Sequence, residues 1–265
     1  VYPLGWRAVS DAFYVADGDG FQPTEWTRGP WDPAAQHAGP PAALVGRAVQ
    51  ALGPELHVAR FTMEVLRPVP LTRQRVEAEL VRSGRRVSFA RARLADDDGD
   101  IALAGAWLIR PAEEAVHEVN LEPSGLPGPE ESTGPFSFDP WNGPSYFSAM
   151  DWRFARGVFF EPGPAAAWMR MKVQLVEGEE PSPLIRVLVA ADSGNGISTE
   201  LPIDEFLFIN TELSVHLARM PEGEWVCLDA ITRIGAAGVG LAESVLWDRG
   251  GRIGSGSQSL LVARR

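Results

Sequence analysis

Residues 61–110 align on residues 213–262 without a gap, at a constant offset of 152 positions. Identical pairs are Arg67/Arg219, Ala78/Ala230, Val87/Val239, Ala90/Ala242, Leu94/Leu246, Asp96/Asp248, Gly99/Gly251, Ile101/Ile253 and Leu108/Leu260. The two stretches also share a shape. Ser88 to Leu94 and Gly240 to Leu246 are strand-like, and each meets an Asp-x-x-Gly turn, Asp96 to Gly99 and Asp248 to Gly251. A second apolar run follows in each half, Ile101 to Ile109 and Ile253 to Val262. Each half is therefore expected to end in a long β-hairpin whose turn glycine takes a positive φ. Two copies make a tandem duplication rather than a solenoid, which stacks three or more.

One helix is expected ahead of the strands in each half. His37-Ala38-Gly39-Pro40-Pro41 leads into Ala42 to Leu52, and Gly53-Pro54 stops it. Pro in the first turn and Gly-Pro at the end are the usual punctuation. Apolar and small residues cover nearly the whole circumference, so other structure wraps the helix on most sides. In the second half, Pro181-Ser182-Pro183 leads into the apolar run Leu184 to Ala191. Between the halves, 111–144 is rich in Pro, Gly, Glu and Ser, which predicts a surface linker. The expected layout is an N-terminal unit (1–110), a linker (111–144) and a C-terminal unit (145–265), in the α+β class.

Composition narrows the function classes. A net charge of −11 and a pI of about 4.9 argue against a nucleic-acid partner, which would require a basic face. The single cysteine, Cys227, excludes an internal disulfide, fits a reducing compartment and reads as a small core residue. No apolar run approaches the ~18 residues of a membrane span, and no signal peptide opens the chain, so the expectation is a cytoplasmic protein. Open sheet edges predict a homo-oligomer.

The familiar catalytic motifs are missing. No Gly-x-Ser-x-Gly frame occurs, because Gly254-Ser255-Gly256-Ser257-Gln258 does not provide it. The four histidines (His37, His57, His117, His216) lack metal-ligand spacing, so no metal is expected, and no cofactor. Gly238-Val239-Gly240-Leu241-Ala242-Glu243 starts like a dinucleotide fingerprint but lies in a sheet-forming run. Arg82, Arg85, Arg86, Arg91 and Arg93 are read as the solvated side of a sheet rather than a phosphate site.

Asp192 is different. If 184–192 is helical, Ile185, Leu188, Val189 and Asp192 share one face, and Ser193-Gly194-Asn195-Gly196 reads as the helix stop. A carboxylate there opposes the helix dipole and has apolar neighbours, and both effects raise its pKa toward the range of a general base. The alternative is an exposed Asp capping the next turn, with Gly194 and Asn195 left-handed.

One buried helix per wrapped sheet, duplicated in one chain, resembles the double hotdog fold. Trp31 to Leu44 looks like the segment leading into the first helix of hotdog thioesterases. Ala190-Ala191-Asp192, Asn210-Thr211 leading to Arg219-Met220-Pro221, and Gly256-Ser257-Gln258-Ser259-Leu260 resemble the acyl-CoA thioesterase II family. The resemblance covers nearly the whole chain and is weakest in the linker. It implies hydrolysis of an acyl thioester, carried by CoA or an acyl carrier protein, through direct attack of water. Asp192, Thr211 and Gln258 would activate and orient that water, and a one-residue shift would put Asn210 in place of Thr211. The first helix would supply N–H donors for the carbonyl oxygen. Pro40 and Pro41 have none, so within His37-Ala38-Gly39 the donors must be Ala38 or Gly39.

By the same offset Gln258 faces Ala106 and Thr211 faces Ala59, and the first helix has no acid. One site per chain is therefore expected, with its polar set from the second half. Two other functions share the fold. An enoyl-thioester hydratase or dehydratase needs an Asp–His pair, and His216 is the one second-half histidine. A non-catalytic acyl-binding protein needs neither.

Overall fold

The computed structural model describes residues 10–114, 116–121 and 123–265. The first nine positions of the expected N-terminal unit, and positions 115 and 122 of the expected linker, lie outside the described residues.

In chain order the elements are β1 (Ala12–Asp17), β2 (Gly20–Pro23), α1 (Gly39–Ala51), β3 (His57–Val65), β4 (Arg75–Arg82), β5 (Val87–Asp96) and β6 (Gly99–Ile109). Then follow β7 (Met150–Arg156), β8 (Ala165–Met171), β9 (Gln174–Val176), α2 (Pro183–Ala191), α3 (Gly194–Ile197) and β10 (Phe206–Asn210). β11 (Glu212–Leu217), β12 (Val226–Ile234), β13 (Val239–Asp248) and β14 (Gly251–Arg264) complete the chain. One antiparallel sheet runs β4-β5-β6-β3-β11-β14-β13-β12-β8-β7, and β10 pairs with the far end of β14. β1, β2 and β9 form a small separate sheet.

The alternation of the strands sets the layers. On β5, Ser88, Ala90, Ala92 and Leu94 are buried, while Arg91 and Arg93 are exposed. Arg93 pairs there with Glu77 and Asp100, consistent with a solvated sheet face. α1 packs on β3, β4 and β5, α2 on β8, β11 and β12, and the helices pack on each other. Cys227 is fully buried on β12. Among the described residues no helix is long and apolar enough to cross a membrane.

The two repeat copies meet through equivalent strands. β3 and β11 pair antiparallel with Thr62 opposite Ser214, and their hydroxyls lie 3.2 Å apart. These residues are related by the repeat offset, so a local two-fold passes between them. Both predicted hairpins form, with Asp96 opposite Gly99 and Asp248 opposite Gly251, and both glycines have positive φ. The repeated identities also form one ion pair per copy, Arg67–Asp96 and Arg219–Asp248, each 2.5 Å at closest approach. Each pair ties the hairpin turn to the end of a neighbouring strand.

α1 begins at Gly39 with both prolines in its first turn, as the sequence predicts. One local expectation needs correction. The left-handed stop at Gly194-Asn195 does not form, because neither residue has a positive φ. The chain instead bends at Asp192 and re-enters a short helix, α3. The Gln258 side chain accepts the Asn195 N–H, and the Ser198 hydroxyl donates to the Gly194 carbonyl, so the turn closes without a left-handed residue.

Candidate active site

The helices run in opposite directions, so the start of α1 meets the end of α2. They touch so closely that a Cβ on Gly39 would lie 2.3 Å from the Val189 carbonyl oxygen. α1 has no side-chain cap of its own. The Asp192 carboxylate sits beside this end of α1, where the Ala38 and Gly39 N–H groups favour its charged form. The acid that opposes the dipole of α2 thus faces the positive end of α1.

Asp192 is 4% exposed. Asn210 Nδ2 donates to its Oδ1 at 2.8 Å, and Gln258 Nε2 donates to Oδ1 at 3.1 Å and to the Asp192 carbonyl at 3.0 Å. Burial pushes the carboxyl up to about 7, despite these donors and the two backbone N–H groups. The exposed-cap alternative for Asp192 is therefore set aside.

Thr211 is not brought to Asp192. Its hydroxyl donates to the Ser259 carbonyl at 3.4 Å, and the residue is exposed. Thr211 lies at the bend between β10 and β11 and lines the same cavity as Asn210, with its hydroxyl turned to the Ser259 carbonyl instead of to Asp192. Gln258 is brought to Asp192. Its Oε1 accepts from the Asn195 N–H and its Nε2 donates to Asp192, so both ends of the amide hold protein groups. Of the two N–H groups expected to face a substrate carbonyl, that of Gly39 donates to His37 Nδ1 at 3.1 Å, and both lie beside the Asp192 carboxylate.

His37, expected from the sequence to bind substrate at the entry to the first helix, is also brought to Asp192, and Tyr146 joins the site with no sequence signal. His37 Nδ1 lies 3.1 Å from Asp192 Oδ2, an Asp–His pair made across the two halves. Burial pushes His37 down to about 3, which keeps the ring neutral. Tyr146 stacks on His37 with centroids 3.7 Å apart and planes 9° from parallel. Its hydroxyl donates to the Val189 carbonyl at 2.8 Å and lies 2.8 Å from the Ser193 hydroxyl. By contrast His216 is exposed, on the opposite side of β11 from buried Leu213, Val215 and Leu217, and does not line the cavity.

Asp192, His37 and Asn210 open onto a cavity of about 740 Å³, walled largely by apolar side chains including Phe147, Trp152, Phe159, Phe160 and Phe208. A volume of this size takes a substantial apolar group, with the few polar residues at one place to orient it. Among the described residues no cluster of three or more His, Cys, Asp or Glu side chains could hold a metal ion. The arrangement suits proton transfer from water beside an apolar substrate.

Residues 27–109 match the family model of the acyl-CoA thioesterase N-terminal domain, and residues 124–262 match that of the C-terminal domain. Solved structures with the same architecture include a candidate thioesterase II of Thermobifida fusca YX (17% identity, 95% of each chain covered, TM-score 0.74). A hot dog fold protein of Alicyclobacillus acidocaldarius is 16% identical over 97% of each chain, with a TM-score of 0.73. The acyl-CoA thioesterase II TesB2 of Mycobacterium marinum is 15% identical, covering 87% of this chain and 90% of its own, with a TM-score of 0.63. These likenesses establish the fold as a double hotdog. No curated protein matches the chain.

Proposed function

The chain belongs to the acyl-CoA thioesterase family, and from that premise we propose that it hydrolyses acyl-CoA thioesters by direct attack of water, with Asp192 as general base. One observation carries the reading: a buried carboxylate, held by Asn210 and Gln258 and pushed up to about 7, faces an apolar cavity. A base of that strength is poised to take a proton near neutral pH.

The water oxygen bonds to the thioester carbon while its proton passes to Asp192, and the carbonyl π electrons move onto oxygen. When the carbonyl re-forms, the C–S bond breaks and the thiolate takes the proton back from Asp192. Products are a carboxylic acid and a free thiol. Asn210 and Gln258 both donate to Oδ1, which leaves Oδ2 for the transferred proton. The Asn210 carbonyl oxygen has no partner among the described residues and can accept from the attacking water. Thr211 takes no part in this version of the site.

The Asp192–His37 pair favours a second reading, the enoyl-thioester hydratase or dehydratase, with the histidine coming from the first half instead of His216. Following thiol release and enoyl absorbance on saturated and 2-enoyl-CoA esters separates them. Thiol release supports hydrolysis, enoyl loss without thiol supports the hydratase, and binding without turnover supports a non-catalytic acyl-binding protein. Within the thioesterase reading, Asn210→Ala is expected to lower kcat by about 10- to 100-fold, the worth of a hydrogen bond to a charged group. Thr211→Ala should change it by less than about 3-fold, because the Thr211 hydroxyl is bonded to the Ser259 carbonyl and not to Asp192. Equal losses in the two variants would put Thr211 back in the site. β4 and β7 end the sheet, and association of copies through such edges is the oligomer we propose. Size-exclusion chromatography with light scattering reads it directly.

A further inference from the structure

Hydrolysis puts negative charge on the thioester oxygen, and a donor must meet it. Around Asp192 the amide donors are already engaged. Asn210 Nδ2 serves Asp192 and the Glu212 carbonyl, and Gln258 Nε2 serves Asp192 twice. Asn195 Nδ2 donates to the Phe208 carbonyl, the Gly39 N–H donates to His37 Nδ1, and the Ala38 N–H lies beside the Asp192 carboxylate. His37 is the exception. It lines the cavity, and its Nε2 has no hydrogen-bond partner among the described residues.

The tautomer follows from the contacts of the other ring nitrogen. The Gly39 N–H is aimed at Nδ1 at 3.1 Å, and an N–H can be received there only by a lone pair. A neutral imidazole with its lone pair on Nδ1 carries its proton on Nε2. We propose that His37 acts through Nε2–H as the hydrogen-bond donor to the thioester carbonyl oxygen, and that it is not a base. The inference rests on the thioesterase reading. Asp192 fits the same tautomer, because once it has taken the proton from water its Oδ2–H can donate to Nδ1 across 3.1 Å. Tyr146 keeps the ring in place. Its face lies against the imidazole, and its hydroxyl is anchored to Val189 and Ser193 on the segment that carries Asp192. No proton leaves His37 in this scheme, so the atoms and charges of the hydrolytic step are unchanged.

Two measurements test the proposal. In the ¹⁵N-histidine NMR spectrum of the full chain, His37 is assigned by loss of its signals in His37→Gln. The expected pattern is a protonated Nε2 and an unprotonated, hydrogen-bonded Nδ1. A proton on Nδ1 overturns the inference. In kinetics with an acyl-CoA that the parent hydrolyses, His37→Leu should lower kcat by about 10²- to 10³-fold, the usual loss of one oxyanion donor. His37→Gln, whose amide N–H reaches a similar place, should stay within about 10-fold of the parent. A Gln variant as slow as the Leu variant, with both folded by circular dichroism, overturns it as well. A parent that hydrolyses no acyl-CoA overturns the thioesterase reading and the donor role with it. A Nδ1-protonated ring in an active enzyme overturns the donor role alone.

Discussion

Asp192→Asn folds, is at least as stable as the parent at pH 8, and lowers kcat for acyl-CoA hydrolysis by about 10²- to 10⁴-fold, the range of a lost general base. The stability half of this expectation comes from linkage. Burial raises the folded-state pKa of Asp192 from its ordinary 3.8 to about 7. A group with a raised folded pKa contributes its full stability below the unfolded value, and that contribution is lost as pH rises through about 7. At pH 8 the parent therefore carries a buried charge that the Asn variant does not. The difference approaches about 4 kcal/mol at most, from ~3 pKa units at 1.36 kcal/mol each. The amide can still accept from Asn210 and Gln258 and can donate to His37 Nδ1. Thermal unfolding at pH 5 and pH 8 checks it: the parent should lose more Tm between the two than the variant. In the parent, kcat/KM should rise about tenfold per pH unit below pH 7 and level off above it. A variant less stable than the parent at both pH values would make Asp192 a structural cap of α1 instead.

Arg219→Leu is expected to cost about 3–5 kcal/mol in urea unfolding, because it leaves Asp248 buried without its partner. Asp248 is 2% exposed and takes both guanidinium nitrogens of Arg219, at 2.6 and 2.5 Å. It also accepts backbone N–H groups from Glu222, Gly250 and Gly251. Burial works against its charge, but Arg219 and these donors hold the carboxyl below its ordinary range. Its contribution is therefore present above the unfolded pKa and lost as pH falls through the lower folded one, so the Arg219→Leu deficit should shrink in acid. Arg67→Leu, in the other copy, should cost less. Arg67 makes a single nitrogen contact with Asp96, which keeps bonds from Thr72 and Asp98. Adding Asp248→Asn to Arg219→Leu should recover part of the loss, since the unpaired charge goes. Equal costs in the two copies, or no cost, would show that the duplicated pair is ornamental to folding.

That ion pair is partly legible in the sequence, because Arg67/Arg219 and Asp96/Asp248 are both repeat identities. The offset alone does not say that the arginine of each copy reaches the aspartate. Asp192 is legible for a similar reason, as an acid on an apolar helix face at the dipole end that disfavours it. Its partners are harder. Thr211 and Asn210 are neighbours, and a sequence match uncertain by one residue cannot separate them, whereas in the fold the Asn210 amide reaches Asp192 and the Thr211 hydroxyl bonds to the Ser259 carbonyl. His37 is legible as a substrate-binding candidate at the start of a helix, but not as the partner of Asp192. Tyr146 carries no signal at all.

By itself the sequence determined the duplication, the two long hairpins, one apolar helix per copy and the acid at the end of the second helix. These depend on short-range periodicity and turn residues, which a chain expresses within a dozen positions. Only the tertiary structure decided that β3 pairs with β11 and that α1 and α2 run in opposite directions. It follows that His37 and Asp192 meet at 3.1 Å beside the start of α1. Those contacts join residues more than a hundred positions apart, so they are selected by burying the apolar faces of two units against each other. No local spacing records which ends of the helices that burial brings together.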